Sequence, residues 1–221
     1  MFSFDTAWPR RRIATAPATT PSDTVLQTYV SHEGRCVELR RLCPQSSDAL
    51  RRFTAGLSAR SVGLRFHVGS LSSEAMDQFA RDAAHDDRGM VRSWLWTPLG
   101  QPDTVVGEVR LGFAAAQGAA AARAELGIVI ADDYQRQGIG LRSVEFIQAL
   151  ARQSEVQGVK ASVLAHNLAI IGLLRHCDFE LMPDLDDPGM VHALWPRTDG
   201  GDAFESSQSG WQRLISRMVG L

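Results

Sequence analysis

The chain has 221 residues, a formal net charge of −2, and 44% hydrophobic against 22% charged residues. Such a composition is too apolar for a disordered chain, and the length suffices to bury a core without disulfide staples. The near-neutral balance speaks against a nucleic-acid or membrane-surface binder, and no apolar run approaches the roughly 18 residues that a bilayer span needs. Cys36, Cys43 and Cys177 form no CxxC pair, so neither a disulfide framework nor a zinc template is expected. Neither do the histidines show ligand spacing, so no metal is expected. A reducing, cytoplasmic setting follows.

Residues 1–31 are rich in Thr, Pro, Ala and Ser and show neither helical nor strand period, so they read as an irregular arm. Cys36 to Leu42 alternates apolar and polar and predicts a strand. Ser47 is placed to cap a helix bearing Leu50, Phe53, Ala55 and Leu57. A short helix is expected over Ala59 to Phe66, and a third from Ser72 and Ser73 onward with Met76, Phe79, Ala80 and Ala83 on one side. Ala84 to Gly89 is turn-like. Met90 to Trp96 and Val105 to Phe113 predict a hairpin, with Trp94 and Trp96 on one face.

Ala114 to Ala122, rich in alanine, is read as a loop or an edge. Arg123 to Ala131 predicts a strand, apolar on both faces towards its end and therefore central. A helix over Gly138 to Gln153 follows, then a strand over Val159 to Ala165. Asn167 opens a further helix through His176, and Phe179 to Met182 and Met190 to Trp195 predict two last strands. Ser207 to Leu221 carries Trp211, Leu214, Ile215, Met218 and Val219 at helical spacing, an amphipathic tail that packs on its own sheet or forms a homodimer contact. The order implies an α/β protein, meander-like first and βαβ-like in its second half.

Ala124 to Gly140 (AELGIVIADDYQRQGIG) carries the chemistry. Gln135-x-x-Gly138-x-Gly140 stands where a strand gives way to a helix. Unpaired N–H groups and the dipole of a helix's first turn attract anions, and glycine lets the backbone close on a phosphate. Arg136, with Arg142 behind it, adds positive charge. The spacing is neither a dinucleotide fingerprint nor a P-loop.

This stretch resembles motif A of the GNAT acetyltransferase superfamily: a central strand ending in Ile128-Val129-Ile130, then Gln-x-x-Gly-x-Gly. Asn167, Leu173 and Phe179 match its motif B. The resemblance covers residues 36–195 and implies a mixed, mostly antiparallel central sheet with splayed central strands, flanked by helices. It divides the chain into an arm (1–31), a GNAT domain (32–196) and a C-terminal extension (197–221). It further implies that acetyl-CoA is bound by Ile128, Val129 and Ile130 along its pantetheine arm. Gln135, Arg136, Gln137, Gly138, Ile139, Gly140 and Leu141 would hold its pyrophosphate, with Asn167 nearby.

The front half, ELRRLCPQSSDALRRFTAGLSARSVGLRF, is similar to the acetyltransferase domain of bacterial Pat-type protein lysine acetyltransferases. Those carry Ala-Glu-Phe-Ala where this chain has Ala124-Glu125-Leu126-Gly127, and their Glu acts as general base. Glu125 is the corresponding base. On an apolar strand its carboxylate would be desolvated and its pKa raised. Facing solvent, or pairing with Arg123 or Arg110, is the alternative. The usual motif B tyrosine, a general acid, is Leu174 here, and the motif B glycine is Asp178. The expected activity is amine N-acetylation, of a protein lysine or of a small molecule. A non-catalytic acyl-CoA sensor is the alternative from another class.

Overall fold

The computed structural model describes residues 24–84, 91–113, 123–153 and 158–196. The turn-like segment after residue 84, the alanine-rich segment 114–122 and the amphipathic tail lie outside the described residues. The strands are β1 (Val25–Val30), β2 (Cys36–Arg41), β3 (Val91–Pro98), β4 (Gly107–Gly112), β5 (Ala124–Ile130), β6 (Val159–Leu164), β7 (Glu180–Pro183) and β8 (Met190–Trp195). The helices are α1 (Ser47–Ala55), α2 (Ala59–Phe66), α3 (Ser73–Ala84), α4 (Ile139–Arg152) and α5 (Leu168–His176).

One eight-stranded sheet runs β1-β2-β3-β4-β5-β6-β8-β7. Each neighbouring pair is antiparallel except β5 with β6, which are parallel and joined through α4. The mixed, mostly antiparallel sheet expected from the sequence is therefore present, with β5 central.

Strand alternation divides the burial. Ala124, Leu126 and Ile130 of β5 join Trp94, Trp96, Val109 and Leu111 beneath α4 and α5, against Ile139, Val144, Ile147 and Leu174. Val129 joins Leu95, Leu50, Phe53, Val62, Phe66 and Phe79 beneath α1 to α3 on the other face. The tryptophans are core residues: Trp96 Nε1 donates to Ser143 Oγ on α4 at 2.9 Å, and Trp94 meets Phe146 edge-on at 5.3 Å.

Two local expectations are corrected. Val25–Val30 is a strand inside the segment read as irregular. Among the described residues it pairs with β2 alone, has a register shift between Val25 and Gln27, and leaves Val25 and Val30 exposed. An edge strand with one neighbour and a bulge needs no clean two-residue alternation, which is why none showed. The residue capping α1 is Ser46, without a side-chain hydrogen bond, because Pro44–Ser46 forms a 3-10 turn leading into the helix.

Candidate active site

β5 and β6 begin together and then part. Their pairing is confined to Ala124 with Val159 and Glu125 with Lys160, although β5 continues to Ile130 and β6 to Leu164. From Leu126 onward the two strands diverge, and backbone groups on the facing edges have no ladder between them. Ile128, Val129 and Ile130 line one side of this gap. A cavity of about 350 Å³ is bounded by Arg60, Gly63 and His67 on the α2 side, by Leu164 at the end of β6 and by His166 after it. A gap edged by strand backbone suits an extended, amide-bearing ligand, which can bond to it as an added strand would.

Glu125 stands at the closed end of the gap, on the last paired residue of β5, and is 7% exposed. It faces the α1–α3 side, as alternation with Gly127 and Val129 predicts. Its surroundings are not apolar. Register sets Gly112 opposite Glu125, Arg110 opposite Gly127 and Glu108 opposite Val129, so Glu108 and Arg110 share its face. Arg65, from the last turn of α2, reaches over Gly127: a Cβ there would lie 2.6 Å from the Arg65 Cζ. Arg65 Nη2 sits 3.3 Å from Glu108 Oε2, Arg110 Nε bonds the other Glu108 oxygen, and Ser93 Oγ approaches that same oxygen at 3.4 Å. The Arg110 guanidinium lies 3.7 Å above the Phe79 ring centroid.

Burial lowers the pKa of Arg65, against the charges of Glu108 and Glu125. Burial likewise pushes Arg110 down to about 10, against Glu108. Arg110 therefore remains cationic at neutral pH. The Glu125 charge supports the charged form of Arg65, so Glu125 does not stand in the wholly apolar setting expected from its strand. Of this cluster, sequence reading reached only Arg110, as a cross-strand alternative partner of Glu125; Arg65 and Glu108 come from α2 and β4 and leave no local pattern. A further usable signal was Gly127, where a side chain would displace Arg65.

His67 closes α2 in the left-handed conformation and lines the cavity. Burial pushes its pKa down to about 4, helped by Arg65 and opposed by Asp187. It is a neutral imidazole at pH 7 and was not singled out from sequence.

After β5 the chain makes a 3-10 turn at Asp132–Tyr134 and enters α4 through Gln135 to Gly138. Asp132 accepts from Ser58 N–H, Ser58 Oγ and Ser61 Oγ at 3.2, 2.8 and 2.9 Å, tying the turn to the start of α2. This is the turn-and-cap role that its position suggests. Gln135 Nε2 donates to Ser61 Oγ and to the Ile130 carbonyl, both at 3.0 Å. The buried Gln137 donates from Nε2 to the Asp133 carbonyl at 2.7 Å.

Arg136 and Gly138 both have positive φ, +61° and +87°. The first helical carbonyl to be used, that of Gly138, accepts from Arg142 N–H, so the N–H groups of Ile139, Gly140 and Leu141 have no carbonyl within α4. Together these features make a curled loop with outward N–H groups, which fits a phosphate-bearing ligand. Arg136 is exposed beside it. Arg142 is engaged with Glu145 at 2.8 Å. The Gly138 side-chain position is not open: a Cβ there would meet Tyr29 Cζ at 3.1 Å and His32 Nε2 at 3.0 Å. At Gly140 it would lie 3.3 Å from Leu173 Cδ2, so this glycine lets α4 and α5 approach.

The family model for the GNAT acetyltransferases matches residues 62–179, just over half of the chain. The chain belongs to the GNAT acetyltransferase family. It is accordingly an acyltransferase of the N-acetyltransferase type. No curated protein matches it. Among solved structures, the GNAT domain of S. lividans PAT is 21% identical, with 76% of this chain covering 95% of that one at a TM-score of 0.64. A ribosomal L7/L12 alpha-N-protein acetyltransferase, RimL, in complex with coenzyme A is 15% identical (77% of this chain, 97% of that one, TM-score 0.57). The spermidine N-acetyltransferase from Vibrio cholerae, in complex with coenzyme A and spermine, is 14% identical (72% and 92%, TM-score 0.54). These likenesses establish a shared fold.

Two departures from the GNAT pattern acquire a structural meaning. Leu174, at the usual tyrosine position, is fully buried in the core beneath α5, so that position presents no acid to the gap. Asp178, at the usual glycine position, has φ +61°, a conformation that aspartate tolerates better than most residues. Asn167 caps α5 by accepting from Ile170 N–H at 3.4 Å, and its own N–H donates to the Leu164 carbonyl at 2.8 Å. It therefore stands at the end of β6 beside the gap. Cys177 is buried and its thiol is pushed up to about 11 by burial, which leaves it a packing residue beside His176.

Proposed function

We propose that this GNAT protein transfers the acetyl group of acetyl-CoA to the ammonium-bearing side chain of a protein lysine, with Glu125 as general base. The observation carrying this reading is the position of Glu125, a buried carboxylate at the vertex where β5 and β6 part. The likeness to the S. lividans PAT domain and the Ala124-Glu125 pair support a lysine acceptor.

Acetyl-CoA supplies the thioester carbon. Ile128 to Ile130 offer strand backbone to its pantetheine arm. The loop from Gln135 to Leu141 offers N–H groups to its pyrophosphate, and Asn167 borders the same gap. An acceptor amine is protonated at neutral pH, with a reference pKa of about 10.4. Glu125, on the face that Arg65 covers, takes that proton directly or through water. The freed amine attacks the carbonyl, whose oxygen is held by a backbone N–H near Val129 or Ile130. The adduct nitrogen loses its second proton to solvent as the C–S bond breaks, and solvent protonates the departing thiolate in place of the missing tyrosine.

The test offers the full chain acetyl-CoA together with lysine peptides, spermidine and peptides with only a free N-terminus, and follows thiol release and acetyl mass gain. Acetylation of the lysine side chain is expected. Acetylation confined to spermidine or to N-termini would move the acceptor class. Thiol release with none of them, despite tight CoA binding, would favour a sensor.

A further inference from the structure

The hairpin of β1 and β2 turns at residues 31–35 against the loop that opens α4. Tyr29 Oη donates to the Gln137 carbonyl at 3.2 Å, and the His32 N–H donates to the same oxygen at 3.2 Å. Arg35 Nη1 donates to the Asp133 carbonyl at 2.9 Å, and its guanidinium lies 4.7 Å from the Tyr134 ring centroid. The Arg142 guanidinium lies 5.1 Å from the Tyr29 ring centroid on the other side.

Two donors on one carbonyl fix a peptide plane. In a trans peptide the C=O of Gln137 and the N–H of Gly138 point in opposite directions. A carbonyl held towards the hairpin therefore turns the Gly138 N–H away from it, to the side left for an anion. The need for a lock comes from the glycine. Gly138 sits at φ +87°, and glycine populates positive and negative φ about equally. A free 137–138 peptide can thus flip, which would present a carbonyl oxygen where phosphate oxygens must approach. Both lone pairs of that carbonyl are occupied from the hairpin, so the flipped form would forfeit two hydrogen bonds.

We infer that Tyr29 is a positioning residue for the coenzyme: through the Gln137 carbonyl it holds the Gly138 peptide in the orientation that accepts a pyrophosphate. The N-terminal hairpin is thereby part of the donor-binding apparatus, although it lies about a hundred residues from the loop in sequence. The inference rests on the proposed seat of acetyl-CoA at this loop.

Tyr29→Phe keeps the ring over which Arg142 lies and removes only the hydroxyl. Calorimetry with CoA, steady-state thiol release from acetyl-CoA, and thermal unfolding of the ligand-free chain are to be compared for wild type and variant. Loss of one hydrogen bond of ordinary strength predicts that Kd for CoA and KM for acetyl-CoA rise together by about three- to tenfold. At saturating acetyl-CoA, kcat stays within about twofold, since Tyr29 touches no reacting atom. An unchanged Kd in a folded variant overturns the inference and leaves the coenzyme site standing. So does a fall in kcat with KM unchanged. A wild-type chain that binds no CoA overturns the inference together with the reading beneath it.

Discussion

Gly127 and Glu108 illustrate how single residues set this site. The AELG stretch departs from the Pat-type pattern by a glycine where an alanine is usual, and Arg65 explains it. Gly127→Ala would set a methyl 2.6 Å from the Arg65 Cζ, and Arg65 cannot simply swing away because Glu108 holds it in a buried place. We expect a loss of about 1–3 kcal/mol in urea unfolding, the usual cost of overpacking. Glu108→Gln would leave Arg65 and Arg110 buried without their shared carboxylate and should cost about 3–5 kcal/mol by the same measurement. His67 adds a pH dependence. Its folded pKa near 4 lies below the ordinary histidine value of 6.5, so between those values the unfolded chain binds a proton that the folded chain refuses. Stability must therefore fall as pH drops from about 6.5 to about 4 and lose no more from this group below that. His67→Gln should remove that part of the acid sensitivity in chemical unfolding at stepped pH.

At the scale of elements, the helix α2 does more than cover the sheet. Its first turn is tied by Asp132 to the turn that leads into the glycine loop, its last turn sets Arg65 over Gly127, and His67 at its C-cap lines the cavity. Asp132 is held below the ordinary carboxylate range: burial raises it, but the hydrogen bonds from Ser58 and Ser61 outweigh that effect. Asp132→Ala should cost about 1 kcal/mol of stability, the usual net value of lost hydrogen bonds at an exposed site. It should also weaken CoA binding, because the turn leading to Gln135 loses its anchor. Proportionate stability loss with undiminished CoA affinity would separate α2 from the loop. The bounds of α2, Ala59–Phe66, were legible in sequence, while the Ser58 cap that starts it showed only in the structure. The short pairing of β5 with β6 was not. Where two parallel strands stop bonding depends on what lies across the sheet, and no local pattern records it.

Across the whole molecule, the sequence carried the order of strands and helices after β1, the centrality of β5 and the glycine loop. Each of these follows from periodicity or from a turn. Arg65 and Glu108 near Glu125, and the hairpin against Gly138, were invisible for one shared reason: both involve contacts between residues distant in the chain, and β1 itself lies at an edge with little burial to pattern it. Acidic, basic and glycine positions distant in sequence thus stand at the two ends of β5, with the carboxylate where β5 and β6 part and the glycine loop at the turn beyond β5.

The measurement that bears most directly on this account is the pH dependence of lysine acetylation by Glu125→Gln, which keeps the shape of the side chain and removes its basicity. If Glu125 accepts the ammonium proton, turnover should fall by roughly 100- to 10,000-fold near neutral pH. CoA affinity should stay nearly unchanged, and part of the rate should return towards pH 9 as more of the acceptor amine is already neutral. A variant that matches wild type from pH 6 to pH 9 on the same acceptor would show that Glu125 serves the buried charge cluster alone.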